Sequence, residues 1–498
     1  MVEKLDVLIV GAGLSGIGAA CRLQRECPGA RYLILEGREE MGGTWDLFNY
    51  PGIRSDSDMY TMGYDFKPWR GGKVLADGLS IKAYIEEAAA EEGVQDKVRY
   101  GHHVISADWS SDNASWRVTA RVNKTGEEVQ VDCNLLYLCA GYYNYERGYT
   151  PEFANMDRFE GELVHPQHWP QDLDYSGKRV VIIGSGATAV TLVPAMAGAA
   201  EHITMLQRSP TYMMSRPEVD KIGRLLEKFL PARAAYTITR WKNIKLQRLA
   251  YRLSLAWPSL MKRFFIGRAR KQLGAGYDVE THFTPRYNPW EQRLCALPDN
   301  DLYDAVRSGA AEVVTDKIEQ FSRHGVELES GRELKADIIV TATGLEMLMG
   351  ANIDFSLDGR PVNLADSWTY KGIMFSDVPN LINTFGYINS SWTLRADLIS
   401  GFVCRLVTRM KASGMRQVTP RLRPKDSDMQ RKPWVDGFSA GYFQRAEHLF
   451  PRQGDREPWI NCQNYTREQT LIGRQALEDG VLQFSNPASP QAEGKTAA

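Results

Sequence analysis

Two glycine-rich turns in this 498-residue chain have the residue types and spacing to hold phosphate. The first, Gly11-Ala12-Gly13-Leu14-Ser15-Gly16, follows the apolar run Val7-Leu8-Ile9-Val10. The second, Gly184-Ser185-Gly186-Ala187-Thr188-Ala189, follows Val180-Val181-Ile182-Ile183. Where a buried strand turns sharply into a helix, glycine lets the backbone approach a pyrophosphate, and the helix N-terminus holds its charge. The next strand after each turn ends in a residue of opposite sign. Tyr32-Leu33-Ile34-Leu35 ends in Glu36, a carboxylate that accepts bonds from ribose hydroxyls and repels a 2′-phosphate. Ile203-Thr204-Met205-Leu206-Gln207 ends in Arg208, whose guanidinium pairs with such a phosphate. The first turn therefore suits the ADP half of FAD and the second suits NADPH. The strand before, the helix-compatible run after and the charged residue at the right spacing separate both from ordinary tight turns.

These motifs need parallel sheets to carry them. Apolar runs alternating with helical patterns imply an α/β fold with two doubly wound, Rossmann-like dinucleotide-binding domains. Asn134-Leu135-Leu136-Tyr137-Leu138-Cys139-Ala140-Gly141 reads as the strand that closes the first unit, and 336–344 as the strand that closes the second. A flavin needs walls from more than one segment, so the chain is expected to return to the first domain. The expected division is residues 1–143 and 376–498 for the FAD-binding domain, and 144–214 and 278–375 for the NADPH-binding domain. Residues 215–277 form a helical insertion.

That insertion has its own composition. From Lys221 to Lys271 there are fourteen Lys or Arg and one acid, Glu227, with Trp241, Tyr251, Trp257, Phe264 and Phe265 interleaved. Two readings stand: a solvated basic face over an ordinary packed helix, or an amphipathic surface that touches anionic lipid at the membrane periphery or steers an apolar substrate. A net charge of −1 over the whole chain argues against a nucleic-acid partner. No apolar run reaches the roughly 20 residues of a membrane span. The first strand begins almost at Met1, so no signal peptide is expected and the reading is cytoplasmic. Seven scattered cysteines form no CxxC pair, which disfavours the disulfide reductases built on two such folds. The eight histidines show no metal-ligand spacing, and no metal is expected. The small polar run 486–498 is expected to be disordered.

Between the two turns runs Phe159-Glu160-Gly161-Glu162-Leu163-Val164-His165-Pro166-Gln167-His168-Trp169-Pro170. It resembles the fingerprint of type I Baeyer–Villiger monooxygenases, and the likeness extends over nearly the whole chain. Trp169 favours that branch, because the related amine and sulfide monooxygenases usually have Tyr or Phe there. The resemblance implies that His165 and Trp169 couple the interdomain linker to cofactor and domain movement. It matches Gly42-Gly43-Thr44-Trp45 to a flavin-contacting segment, and Tyr50-Pro51-Gly52-Ile53-Arg54-Ser55-Asp56 to a loop whose Asp lies near nicotinamide and flavin. Gln207-Arg208-Ser209-Pro210 matches the grip on the 2′-phosphate, and 284–294 matches the segment that carries the catalytic arginine. That arginine aligns with Arg293, with Arg286 the competing choice; the family's usual Lys before it is here Gln292, which weakens the expected preference for NADPH over NADH. The run Tyr387–Leu394, the modest length and the insertion look most like the ethionamide-activating subgroup.

The implied reaction inserts one oxygen atom of O2 into an apolar ketone through a flavin C4a-peroxide, giving an ester or lactone, and the same oxidant can reach a thioether. The cofactor supplies the reactivity, while the protein supplies orientation, charge and exclusion of water. A permanent cation, Arg293, would keep the peroxide anionic and stabilise the oxyanion formed on the carbonyl. Asp56 would hold that arginine through a paired hydrogen bond. Plainer roles stay open: Asp56 as a cap of its own turn, Arg293 as a salt bridge. Two other functions stand beside this one: a monooxygenase acting mainly on soft sulfur or nitrogen, and a flavin-binding redox sensor or membrane-surface protein.

Overall fold

The computed structural model describes residues 2–292 and 294–487. Arg293 and the tail 488–498 lie outside the described residues. Strand β1 (Glu3–Val10) leads into α1 (Leu14–Glu26), and β2 (Tyr32–Leu35) returns parallel to β1. Val7, Leu8 and Ile9 are fully buried, as a continuous apolar run in a strand covered on both faces should be. Helices α2 (Thr44–Leu47), α3 (Met59–Met62) and α4 (Gly78–Glu91) precede the edge strand β3 (Val98–Arg99) beside β2. An antiparallel meander follows: β4 (His102–Ser110), β5 (Ser115–Val122) and β6 (Glu128–Leu138). Its last strand lies parallel to β1 on the side away from β2. The sequence reading of a closing strand here is met by β6.

The chain leaves along β7 (Tyr143–Gly148) and builds a second sheet. Its first pieces are β8 (Glu162–Val164), β9 (Arg179–Ile183), α5 (Ala187–Met196) and β10 (His202–Gln207). Strand β11 (Tyr212–Arg216) pairs in parallel with β12 (Leu294–Pro298). Between these two strands stand α6 (Lys221–Phe229), α7 (Ala232–Ala256), α8 (Pro258–Leu273) and α9 (Val279–Phe283), so the expected insertion is helical. Helix α10 (Asp301–Arg307), β13 (Ala311–Thr315), the antiparallel β14 (Ile318–Ser322), β15 (Gly325–Leu328) and β16 (Glu333–Lys335), and then β17 (Ile338–Thr341) complete the unit. The second sheet is wholly parallel in the order β13-β10-β9-β17-β8. Each sheet has its own apolar cluster, one around Ile9 and Ile34, the other around Ile182 and Met205.

The return comes earlier than the sequence reading placed it. Strand β18 (Leu345–Met347) pairs antiparallel with β7, making a two-stranded ribbon between the sheets. Strand β19 (Asp354–Leu357) then pairs with β4, and β20 (Arg360–Val362) with β19. Residues 354–362 thus lie on the first sheet, some way before the expected division at 375/376. The strand Leu381–Asn383 pairs with β6, and α11 (Trp392–Ser413) covers the same unit.

The insertion also reaches the first unit. Helix α7 lays Arg240 across the C-terminal end of α3, where Nη1 donates to the carbonyls of Tyr60 (2.9 Å), Thr61 (3.2 Å) and Gly63 (2.6 Å), and Nη2 to Asp397 (3.3 Å). Asn243 donates to the buried Asp58 carboxylate at 3.0 Å, and Gln247 to its other oxygen. Truncating Arg240 leaves three carbonyls and a carboxylate without their donor. We therefore expect Arg240→Ala to cost about 3–5 kcal/mol, seen as a lower thermal unfolding midpoint. Arg240→Lys should recover part of the loss, since an ammonium keeps the charge but not the planar fork. An unchanged midpoint for the Ala variant would mean that this contact does not hold the two units together.

Candidate functional site

At the first turn, Gly11 adopts φ +100°, and a Cβ there would meet the Cys139 carbonyl oxygen at 2.9 Å. At the second turn, Gly184 adopts φ +144°, and a Cβ would meet the Ala342 oxygen at 2.3 Å. Both positions combine a left-handed backbone with contact against the closing strand, which glycine alone satisfies at no steric cost. Gly16 is tight for another reason: its Cβ would lie 1.8 Å from the Gly11 oxygen. At the matching position of the second turn, Ala189 is accommodated and buried. No atom lies within 4 Å of a Cβ at Gly186, so that backbone is open to a ligand.

Glu36 is buried beneath the first turn. Its Oε2 accepts from the Ala12 N–H at 2.6 Å, and Oε1 from the Arg38 N–H at 2.8 Å. Burial raises its pKa, while those two N–H groups pull it down. Gly43 meets the turn directly: a Cβ at Gly43 would lie 3.0 Å from the Gly13 Cα, and Gly42 bridges to Gly13. The structure therefore brings Gly11, Gly13, Glu36, Gly43, Thr44 and Trp45 to the wall of one cavity of about 1300 Å³. Tyr145 faces it as well, with its hydroxyl bonded to Thr44 and its pKa pushed up to about 12 by burial.

The opposite wall belongs to the second unit, through Ala187, Thr188 and Thr191 of α5. The loop 50–56 is wedged between the two. A Cβ at Gly52 would be 2.6 Å from the Ala195 Cβ, and the Tyr50 hydroxyl is bonded to Thr188. Asp56 lines the cavity on this loop. So does Arg54, whose Nη1 donates to Asp301 at the start of α10 at 2.5 Å. Its Nε and Nη2 are buried with no hydrogen-bond partner. Arg54 thus places a guanidinium, fixed on one side by Asp301, in the cavity wall. The sequence reading quoted Arg54 within its loop but gave it no role; only the contact with Asp301, 247 residues away, reveals it. A second cation missed from sequence is Arg445, which lines the cavity and lies 3.5 Å over the Tyr149 ring. Trp392 adds an apolar wall and donates from Nε1 to Ser15 at 2.7 Å.

Other expected residues stand apart from this cavity. Arg208 is exposed at the end of β10, beside the second turn; Ser185 of that turn donates to the Ser209 oxygen at 3.2 Å and bonds Thr211 at 2.8 Å. Gln292 is half-buried next to β12, and Arg286 is exposed. The segment before Arg293 is held by Tyr212, which donates to the Tyr287 oxygen at 2.6 Å, and by an edge contact between Tyr251 and Trp290. His165 sits against both linker strands. Its ring would be 1.9 Å from a Cβ at Gly148, and its Nε2 lies 3.3 Å from the Gly344 oxygen. Burial lowers its pKa, while the Gly344 carbonyl pulls it back up.

Known proteins match this architecture. The model of the flavin-binding monooxygenase-like family fits residues 76–348, and that of an NAD(P)-binding Rossmann-like domain fits residues 9–67. The FAD-containing monooxygenase EthA of Mycobacterium tuberculosis is 50% identical over 98% of this chain and 99% of its own length. EthA of Mycolicibacterium smegmatis is 48% identical over 97% and 98%. Among solved structures, an oxidized steroid monooxygenase bound to NADP superposes with a TM-score of 0.77 at 22% identity, covering 97% of this chain and all of that one. An open cyclohexanone monooxygenase gives 0.76 at 18% over the same shares. With the glycine turns, the cavity between two sheets and half of all positions shared with EthA, the chain belongs to the flavin-binding monooxygenase-like family.

Proposed function

We propose that this enzyme is a Baeyer–Villiger monooxygenase that uses FAD, NADPH and O2 to insert one oxygen atom beside the carbonyl of an apolar ketone. The observation that carries this reading is the cavity itself. It starts at the first glycine turn, ends at α5 of the second unit, and is lined between them by Arg54 and Asp56 of the loop 50–56.

The residues fit both cofactors. The N-terminus of α1 and the close-packed Gly11 and Gly13 would hold the FAD pyrophosphate, and Glu36 would accept from its ribose hydroxyls. The open backbone at Gly186 would do the same for the nicotinamide dinucleotide, with Arg208 and Gln292 at its 2′-phosphate. When bound, FAD supplies the reduction of O2 and the transfer of one oxygen atom. The chain's own part is electrostatic. Attack on a ketone places negative charge on the carbonyl oxygen, and a fixed guanidinium in a site closed to water lowers the energy of that charge. Arg293 is proposed for this task, with Asp56 orienting it, and Arg54 adds a second cation on the same loop as Asp56. In this reading FAD belongs to the first sheet and NADPH to the second, with residues 354–362 going to the first.

The deciding assay offers NADPH, ¹⁸O2 and a panel of ketones plus a thioether, with products identified by mass. An ester carrying one labelled oxygen supports the reading; sulfoxide as the sole product moves the enzyme to the branch that oxidises soft heteroatoms. Arg293→Ala should keep NADPH-driven flavin reduction while losing ester formation by a factor of about 10²–10³, the size of a lost oxyanion donor. Normal ester output from that variant removes Arg293 from the mechanism. Arg208→Ala should raise KM for NADPH by about tenfold or more, as for loss of a charge-assisted pair, and leave KM for NADH nearly unchanged. Equal effects on the two would show that it does not read the phosphate. Arg54→Gln should lower kcat/KM by about 10–100-fold through loss of a charged donor, with Arg54→Lys intermediate. Full activity in the Gln variant would make Arg54 a purely structural partner of Asp301.

A further inference from the structure

Helix α7 is inside out. Its buried stripe is largely polar, with Thr239, Arg240 and Asn243 turned toward the first unit. Its outward stripe carries Ile238, Trp241, Leu246, Leu249 and Leu255, each 45–62% exposed. The sequence reading of an ordinary packed helix with a solvated basic face therefore does not describe α7. The neighbouring helices continue the outward surface, with Phe229 78% exposed on α6 and Leu260 59% exposed on α8. Of the fourteen large apolar side chains exposed among the described residues, eleven lie between Ile222 and Phe264. Scattered exposed apolar residues are ordinary, but a concentration of this kind marks a surface that something covers.

The charge says what covers it. The stretch Lys221–Lys271 holds fourteen Lys or Arg against one acid, a net of +13 in a chain whose total is −1, so the remainder stands at −14. Two of these cations lie over the exposed rings, with Lys245 Nζ 5.5 Å above Trp241 and the Arg268 guanidinium 5.8 Å above Phe264. Long cationic side chains beside aromatic rings can keep their charge in the polar layer while their stems and the rings enter the apolar one. At the corner between α7 and α8, Trp257, Leu260 and Arg263 line a surface hollow that sets a cation beside an apolar recess.

We infer that the outward face of α6, α7 and α8 docks on an anionic lipid bilayer, its apolar side chains sunk into the interface and its cations among the headgroup phosphates. A second copy of the chain fits less well, because a symmetric dimer would set like charges such as Lys245, Arg252 and Arg268 against one another. The acidic remainder is repelled by the same surface, so the charge separation orients the molecule as well as attracting it. No helix among the described residues is long and apolar enough to cross a membrane; the contact lies in the plane of the interface. Docking is independent of which oxygen acceptor the site takes.

The test is co-sedimentation of the flavin-loaded enzyme with vesicles of phosphatidylcholine alone or with about 30% phosphatidylglycerol. Partition onto the anionic vesicles should be at least about tenfold stronger, and should fall at about 0.5 M salt as exposed charges are screened. Trp241→Ser with Leu249→Ser, and separately Lys245→Glu with Arg252→Glu, should each reduce partition about tenfold or more while leaving flavin absorbance and NADPH oxidation in solution unchanged. Quenching of tryptophan fluorescence by brominated lipid gives a readout on the wild-type enzyme alone, and should occur with the anionic vesicles only. Absence of binding, equal binding to neutral and anionic vesicles, or unaltered binding by both variants would overturn the inference. So would a concentration-dependent dimer that the Trp241→Ser, Leu249→Ser variant abolishes.

Discussion

The close approach of a glycine to the closing strand of its sheet sets the terms for everything else. At Gly11 the neighbour is the Cys139 carbonyl, and at Gly184 it is the Ala342 carbonyl. In both places the chain turns from strand to helix with no room for a side chain, and the first N–H groups of α1 and α5 are left facing outward. In the proposed reading those donors, rather than a charged side chain, would hold each pyrophosphate. Parallel sheets, short turns and small residues at the end of each closing strand are what that geometry requires.

The cavity lies between the first glycine turn and α5 of the second unit. Neither sheet forms the cavity alone. The loop 50–56 leaves the first unit, leans on α5 and is tied by Arg54 to Asp301 at the start of α10. Burial raises the Asp301 pKa and the Arg54 guanidinium pulls it down. The pair thus acts across a unit boundary, where any change in the relative position of the units alters the cations lining the cavity. His165 stands at the same boundary, fitted against Gly148 and beside Gly344 of the two linkers.

Local features were legible in the sequence; features made by distant segments were not. The turns, Glu36 and the helical insertion could be read because each depends on a few neighbouring residues with fixed spacing. The packing of Gly43 against Gly13 has no sequence signal, since it joins two turns that are distant along the chain. Arg54 had no local signal, since its role comes from Asp301 far along the chain. Period alone leaves open which face of α7 is buried: Arg240 and Asn243 take the inner side because Asp58, Asp397 and a row of carbonyls await them. The point of return was also set too late, because β19 is a short edge strand whose register depends on β4, more than two hundred residues earlier.

The nesting of one unit within the other has a consequence for biosynthesis. The first sheet is begun by β1 but gains β19 and the strand Leu381–Asn383 only after β17 has completed the second. On a ribosome that releases the chain from its N-terminus, the inner unit can be finished while the outer one still lacks β19, β20 and the strand Leu381–Asn383. The unit that starts first must wait, with the end of β6 at Leu136–Leu138 unpaired on one flank, for the later one to fold. A fragment ending near residue 143 would expose that flank permanently, so the outer unit has no natural cut point at which it could be made alone.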